Sequence, residues 1–526
     1  MMHDLIKDLA QFASGEFCCK FEHGKPHKIL GKVRHFAYLM GKLDGAEKFE
    51  DLMQVKTLRT FLPLTFSNDC YDLSELPENT NLRMMPPRFG RLKNLQLVTD
   101  FVPHENLKKL MIENYDGTKF PNWLGDAIFS NMGRSVWNQA IQISEILSFI
   151  KLPCWSVWTH DGEDIPFPSF QELQIQDCPQ LIESLQKKLY SLTKLELSDC
   201  PKLLPFSEGS FPSKLQSVVI TNCNNLTPQK QWGLHGMKYL ICFKIEGGCS
   251  EAELFPEEQL LPNTLTSIRI SGFPNLINLC EGLHSLTSLK KLEIGCCVKL
   301  ELMPKEGLYL NLHSRVITNC TNLMPQKKWS IHGMKSLTCI KIDGGCSKLV
   351  VFPQGVLPNT LTYLCIRNLQ NLINLGEGLH SPTSLKKLKI KHCKKLNKLM
   401  PKEGFPLKLQ SLFITDCESI LPSTEWGLHG MKSLAHFMIT GGCSTMELFP
   451  ERGLLPDSLI SLCISRLPDL KYLVNGLQHL TSLKKLGIDC CKKLELIQAK
   501  GLPAFLSSLR IRKCSLLALR CDLQID

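Results

Sequence analysis

The chain has 526 residues, of which 43% are hydrophobic and 21% charged, and a formal net charge of +11. That length exceeds one ordinary globular core, and the apolar content excludes a disordered chain. The modest positive charge suits an acidic partner surface without demanding nucleic acid.

The N-terminal MMHDLIKDLAQF has no basic segment followed by an apolar run, so it does not read as a secretory signal. No window approaches the roughly 18 apolar residues of a membrane span. The chain is therefore expected to be soluble and cytoplasmic. Leu5, Leu9 and Phe12 stand at helical spacing, and KVRHFAYL and KTLRTFLPL mix strand-like and helix-like runs. Together these segments resemble the junction between the nucleotide-binding region and the leucine-rich repeats of plant disease-resistance proteins of the coiled-coil class. The resemblance implies that residues 1–60 are a winged-helix remnant carrying the family's Met-His-Asp motif at Met2, His3 and Asp4. In that family the histidine contacts bound ADP. The family also binds nucleotide through G-x-x-x-x-G-K-[ST], whose backbone N–H groups and lysine hold the phosphates, and this sequence contains no such loop. The motif therefore reads as vestigial, and no cofactor is expected.

Residues 61–132 read as degenerate early repeats. NLRMMPPRFGRLKNLQLVTDFV and PHENLKKLMIENYDGTKFPNWLGDAIFSNM resemble two family segments, and Leu107-x-x-Leu110-x-Ile112 is a repeat strand within the second. In the family further repeats separate these landmarks, so the chain reads as having lost some. Residues 133–169 carry no repeat signature and are expected to be an irregular insert. Trp137, Trp155 and Trp158 read as core or junction filler rather than a ligand-stacking cluster.

From residue 170 to the end one form recurs, clearest in LKKLKIKHCKKL at Leu385–Leu396: L-x-x-L-x-I-x-x-C-x-x-L. Fifteen units begin at Phe170, Leu192, Leu215, Leu240, Leu265, Leu289, Leu312, Leu337, Leu361, Leu385, Leu409, Leu434, Leu459, Leu483 and Leu506, spaced by 22 to 25 residues. A short period with apolar residues at fixed offsets marks an α/β solenoid, a leucine-rich-repeat horseshoe with a parallel concave β-sheet. Each unit opens with a strand whose second Leu and Ile face inward while the alternating residues face out. Twelve of the 24 cysteines sit at one repeat phase, as a ladder of small buried reduced thiols does. No C-x-x-C or H-E-x-x-H occurs, so no metal site is expected. Arg315 occupies an inward leucine position in LHSRVITNC and predicts local distortion or a guanidinium that snorkels to the edge.

A longer period overlies the short one. WGLHGMK at Trp232 returns as WSIHGMK at Trp329 and WGLHGMK at Trp426, each 97 residues on, so a four-repeat block is triplicated. Among LKKLEIGCC, LKKLKIKHC and LKKLGIDCC the inward residues stay Leu and Ile while the outward ones diverge. Recognition and neutral drift both predict that pattern. In the unit at Leu385 all three outward residues are lysine, Lys387, Lys389 and Lys391; the neighbouring units offer Tyr363, Arg367 and Phe413. Basic residues beside exposed aromatics suit an acidic protein surface, whereas a solvated lysine face would serve solubility alone.

The sequence thus points to a protein-binding leucine-rich-repeat portion of an immune receptor, without its own nucleotide switch. The resemblance implies protein partners: a pathogen effector, a guarded host protein or a full-length receptor relative. Nucleic acid is not expected, since the basic track is short. A substrate-recruiting adaptor of a ubiquitin ligase is the alternative, although residues 1–60 do not look like its F-box. An extracellular receptor comes third, on the sequons at Asn225 and Asn319. No catalytic pair stands out, so an enzyme comes last.

Overall fold

The computed structural model describes residues 18–21, 35–40, 60–65, 109–114, 145–156 and most of 170–517; the longest stretches it leaves out within the array are 302–310 and 324–333. The chain divides into two compact units that meet in sequence near residue 240.

Among the described residues, the first unit holds eight strands. β1 (Cys18–Phe21), β2 (His35–Met40) and β3 (Thr60–Thr65) form a three-stranded parallel sheet. The two runs that read as mixed, KVRHFAYL and KTLRTFLPL, thus supply parallel strands. β4 (Lys109–Glu113), β5 (Ile146–Ile150), β6 (Glu172–Gln176), β7 (Lys194–Ser198) and β8 (Ser217–Thr221) form a parallel ladder in chain order. Strand β4 falls where Leu110 and Ile112 place it. Strand β5 differs from expectation, because it lies inside the stretch read as irregular. Its sequence ILSFI lacks the opening leucine, yet Leu147 and Phe149 fill the two inward slots and are buried. Two apolar residues at alternate positions are enough to dock a strand when neighbours on both sides supply the backbone ladder. Trp155 packs on Phe149 at 4.9 Å between ring centroids and is buried, as core filler. Trp137 and Trp158, together with Met2, His3 and Asp4, lie outside the described residues.

Among the described residues, the main sheet of the second unit is a parallel ladder of twelve strands: β9 (Cys242–Glu246), β10 (Ser267–Ser271), β11 (Lys291–Gly295), β12 (Ser314–Thr318), β13 (Cys339–Asp343), β14 (Tyr363–Arg367), β15 (Lys387–Lys391), β16 (Ser411–Thr415), β17 (His436–Thr440), β18 (Ser461–Ser465), β19 (Lys485–Asp489) and β20 (Ser508–Arg512). Consecutive strands pair in register without a slip. Across both units all fifteen expected repeats appear, each strand starting two residues after its leading apolar residue. In Lys387–Lys391 the inward Leu388 and Ile390 point into the core and the flanking three are partly exposed, and most rungs follow this pattern, whereas Leu509 and Ile511 of the last strand are exposed. Burying each inward apolar side chain contributes about 1.5–3 kcal/mol, repeated from rung to rung.

Each strand from β4 onward leaves the sheet the same way. The residue after it adopts a left-handed conformation: Asp177, Asp199, Asn222, Asn319, Asn368, His392, Asp416 and others have φ between 49° and 55°. Asn and Asp tolerate this region best among residues with a Cβ. Its N–H then donates to the last carbonyl of the following strand, as from His392 to Thr415 at 2.8 Å and from Asp416 to Thr440 at 2.7 Å. Where two glycines replace it the backbone approaches the neighbouring rung; a Cβ on Gly442 would stand 2.5 Å from the Cys417 carbonyl oxygen.

Next comes the cysteine. The thiols of Cys178, Cys200, Cys223, Cys297, Cys320, Cys393 and Cys417 each donate to the carbonyl oxygen two residues back, at 3.1–3.5 Å. After a double glycine the thiol reaches across a rung instead, from Cys346 to Leu323 at 2.9 Å and from Cys443 to Ile420 at 2.7 Å. The cysteines whose side chains are described, from Cys154 to Cys514, are free thiols. The return segments carry one-turn 3-10 helices, such as Thr424–Trp426 and Leu428–Gly430, and short parallel bridges such as Leu448–Phe449 with Tyr472–Leu473.

Arg315 corrects the expectation of distortion. Strand β12 stays regular, with Arg315 in register between Leu292 and Ile340, and its side chain is buried. The hydrogen-bond ladder on both sides fixes the strand, so the side chain cannot turn outward without inverting its neighbours.

Candidate protein-recognition surface

The outward residues of the twelve-stranded sheet form a grid of three rows, one each from the first, third and fifth positions of every strand. Charge is unevenly distributed over it. On β9–β11 the charges neutralise one another: Arg269 lies 3.0 Å from Glu246 and 3.2 Å from Glu293, and Lys291 completes the cluster at 2.5 Å from Glu293. These pairs hold Glu293 below the usual carboxylate range despite the opposing effect of its burial, with Lys291 the leading cause of the lowering.

Strands β13–β16 are different. Register sets Tyr363 beside Lys387, Cys365 beside Lys389 and Arg367 beside Lys391; on the other side Lys389 faces Phe413. The six residues singled out in the sequence are therefore brought together. The amines pack against ring faces: Lys387 lies 5.9 Å from the Tyr363 centroid and 5.3 Å from that of Phe413, and Lys389 lies 5.3 Å from Phe413. Such contacts are worth roughly 0.5–1 kcal/mol at exposed sites. Among the described residues, none of Lys387, Lys389 and Lys391 has a carboxylate within ion-pair distance. Burial, then Lys387 and Lys391, push the Lys389 amine below its ordinary value. An anion arriving here meets concentrated positive charge already partly stripped of water.

Arg367 is less available than its position suggests, because it pairs with Asp343 at 3.4 Å. Sequence reading missed Lys341, which stacks on Tyr363 at 5.9 Å and stands in register with Cys365. It sits two repeats before the lysine strand; the signal was its third-position phase within CIKID. Among the described residues no group of His, Cys, Asp and Glu is arranged to hold a metal, and no helix is long and apolar enough to cross a membrane.

Comparison with known proteins agrees with the fold. The family described as R13L1/DRL21 LRRs matches residues 90–178, a span that includes β4, β5 and β6. A protein named for disease resistance in Arabidopsis thaliana is 34% identical over 322 residues, covering 58% of this chain and 22% of that relative. The repeat array is a leucine-rich-repeat solenoid similar in sequence to proteins named for disease resistance. The RPP13-like protein 1 of the same plant, also named for disease resistance, is 42% identical over 109 residues, covering 19% of this chain and 10% of the relative. This leucine-rich-repeat chain thus spans a quarter or less of the length of these two relatives. Among solved structures, the mouse RP105/MD-1 complex matches with a TM-score of 0.54 at 15% identity, covering 94% of this chain and 82% of that one, a likeness of fold.

Proposed function

We propose that this chain recognises another protein in plant defence, and that the basic and aromatic face of β13–β16 makes the contact. The lysine strand β15 supports this most directly: three outward cations, of which Lys387 and Lys389 are held against the rings of Tyr363 and Phe413, whereas Glu246, Arg269 and Glu293 pair with one another. A sheet of short parallel strands offers its outward grid as a rigid platform, so partner choice lies in side chains that differ from rung to rung. The partner presents an acidic surface, whether it is a pathogen effector, a guarded host protein or a receptor relative. The reduced thiols suit a cytoplasmic setting. The reading assigns no chemistry to the chain; it binds.

The test is quantitative co-precipitation from plant cells with wild type and Lys387→Glu/Lys389→Glu/Lys391→Glu, each checked for unchanged circular dichroism. Loss of specific partners from the variant, by about tenfold or more, is expected, since reversing charges in a complementary contact costs several kcal/mol. An unchanged set of partners contradicts the reading.

A further inference from the structure

We infer that the face spanning β13 to β17 takes a short extended partner segment of two unlike halves, acidic over β13–β15 and aliphatic or aromatic over β16–β17. This rests on the recognition reading above and adds the chemistry of the bound segment. The middle row of the grid runs Lys341, Cys365, Lys389, Phe413, Met438 across five strands in unbroken register. Its flanks change at the same place. Beside Lys389 stand Lys387 and Lys391; beside Phe413 stand Ser411 and Thr415, and beside Met438 stand His436 and Thr440. Formal positive charge therefore stops between β15 and β16, and apolar surface begins there. Phe413 and Met438 are half-buried at outward positions.

Spacing fixes the size of the segment. Four steps of about 4.8 Å cover about 19 Å, the reach of roughly six extended residues. A wholly acidic segment would carry its carboxylates past the lysine strand, over β16 and β17, whose outward residues Ser411, Phe413, Thr415, His436, Met438 and Thr440 include no lysine or arginine. A wholly apolar one would strip water from Lys387 and Lys389 without a counter-charge, which is costly. Only the divided segment satisfies both halves. Its chain direction is not dictated, because outward side chains contact the segment from below whichever way it runs.

Fluorescence anisotropy with the full chain tests this. The probes are labelled hexapeptides Asp-Glu-Glu-Leu-Phe-Leu and Leu-Phe-Leu-Glu-Glu-Asp, an all-acidic hexapeptide, and a uridine hexanucleotide. One mixed peptide is expected to bind about tenfold or more tighter than the all-acidic one, the effect of burying one large apolar side chain. Lys387→Glu/Lys389→Glu abolishes that binding, and Phe413→Ser/Met438→Ser reduces it to the all-acidic level. The inference is overturned if the all-acidic peptide binds as tightly as the mixed ones, if no peptide binds, if the serine pair changes nothing, or if the oligonucleotide alone binds. The peptide comparison on wild type stands even where a variant is unstable. Partner loss with the lysine variants but no preference for a mixed peptide sinks this inference alone; unchanged co-precipitation sinks the recognition reading as well.

Discussion

Arg315 is the buried charged residue among the described core, in a slot that its neighbours fill with Leu292 and Ile340. Taking a guanidinium out of water is expensive, and exchanging buried ionic groups for well-packed apolar ones often stabilises by about 1–4 kcal/mol. Arg315→Leu restores the repeat's own choice. It is expected to raise the unfolding free energy by about 1–4 kcal/mol, read as a higher urea midpoint with the m-value unchanged. A lower midpoint would mean that the guanidinium's contacts outweigh its burial. The lysines of β15 are the opposite case at the same scale. They stand outward, and their repulsion is borne because the rings of Tyr363 and Phe413 and the surrounding water accommodate it.

The repeating element is a strand, one left-handed residue, then a thiol, and the thiol ladder has a pH signature. Burial pushes Cys346 and Cys491 up to about 11 and Cys443 up to about 12. Cys178 and Cys223 are also raised, first by hydrogen bonding to Cys200 and then by burial. A thiol whose folded value lies above its unfolded value of about 9 contributes stability that is complete below pH 9 and disappears as pH climbs through 11–12. Unfolding free energy should therefore fall between pH 9 and pH 12, and fall less in Cys346→Ala/Cys443→Ala; equal slopes would contradict this account. At pH 8 iodoacetamide should label exposed Cys154 and Cys296 well before Cys346 and Cys443, as read by mass spectrometry of the native chain. The ladder was legible in sequence because cysteine recurs in phase. The left-handed residue before it was not, since Asp, Asn, His, Lys and Cys all occupy that place and only the backbone unites them.

At the scale of the whole chain, periodicity revealed the fold because each rung depends on two buried apolar residues and its neighbours, so fifteen local patterns placed fifteen strands. β5 escaped notice because ILSFI keeps those two slots while the sequence puts Ser144 in place of the leading leucine and Leu152 in place of the cysteine. The recognition face was half legible. Lys387, Lys389 and Lys391 announced themselves as one strand, but Lys341 and Met438 joined only through register across neighbours. The same dependence on register makes the location of binding testable without knowing the partner. A photo-crosslinking amino acid is placed at Phe413, on the outward grid, and separately at Leu448, which is exposed on a return-side strand. Irradiation in plant cells should give partner adducts from the Phe413 position and none from Leu448. Adducts from Leu448 alone, from both equally, or from neither would contradict recognition through the lysine face.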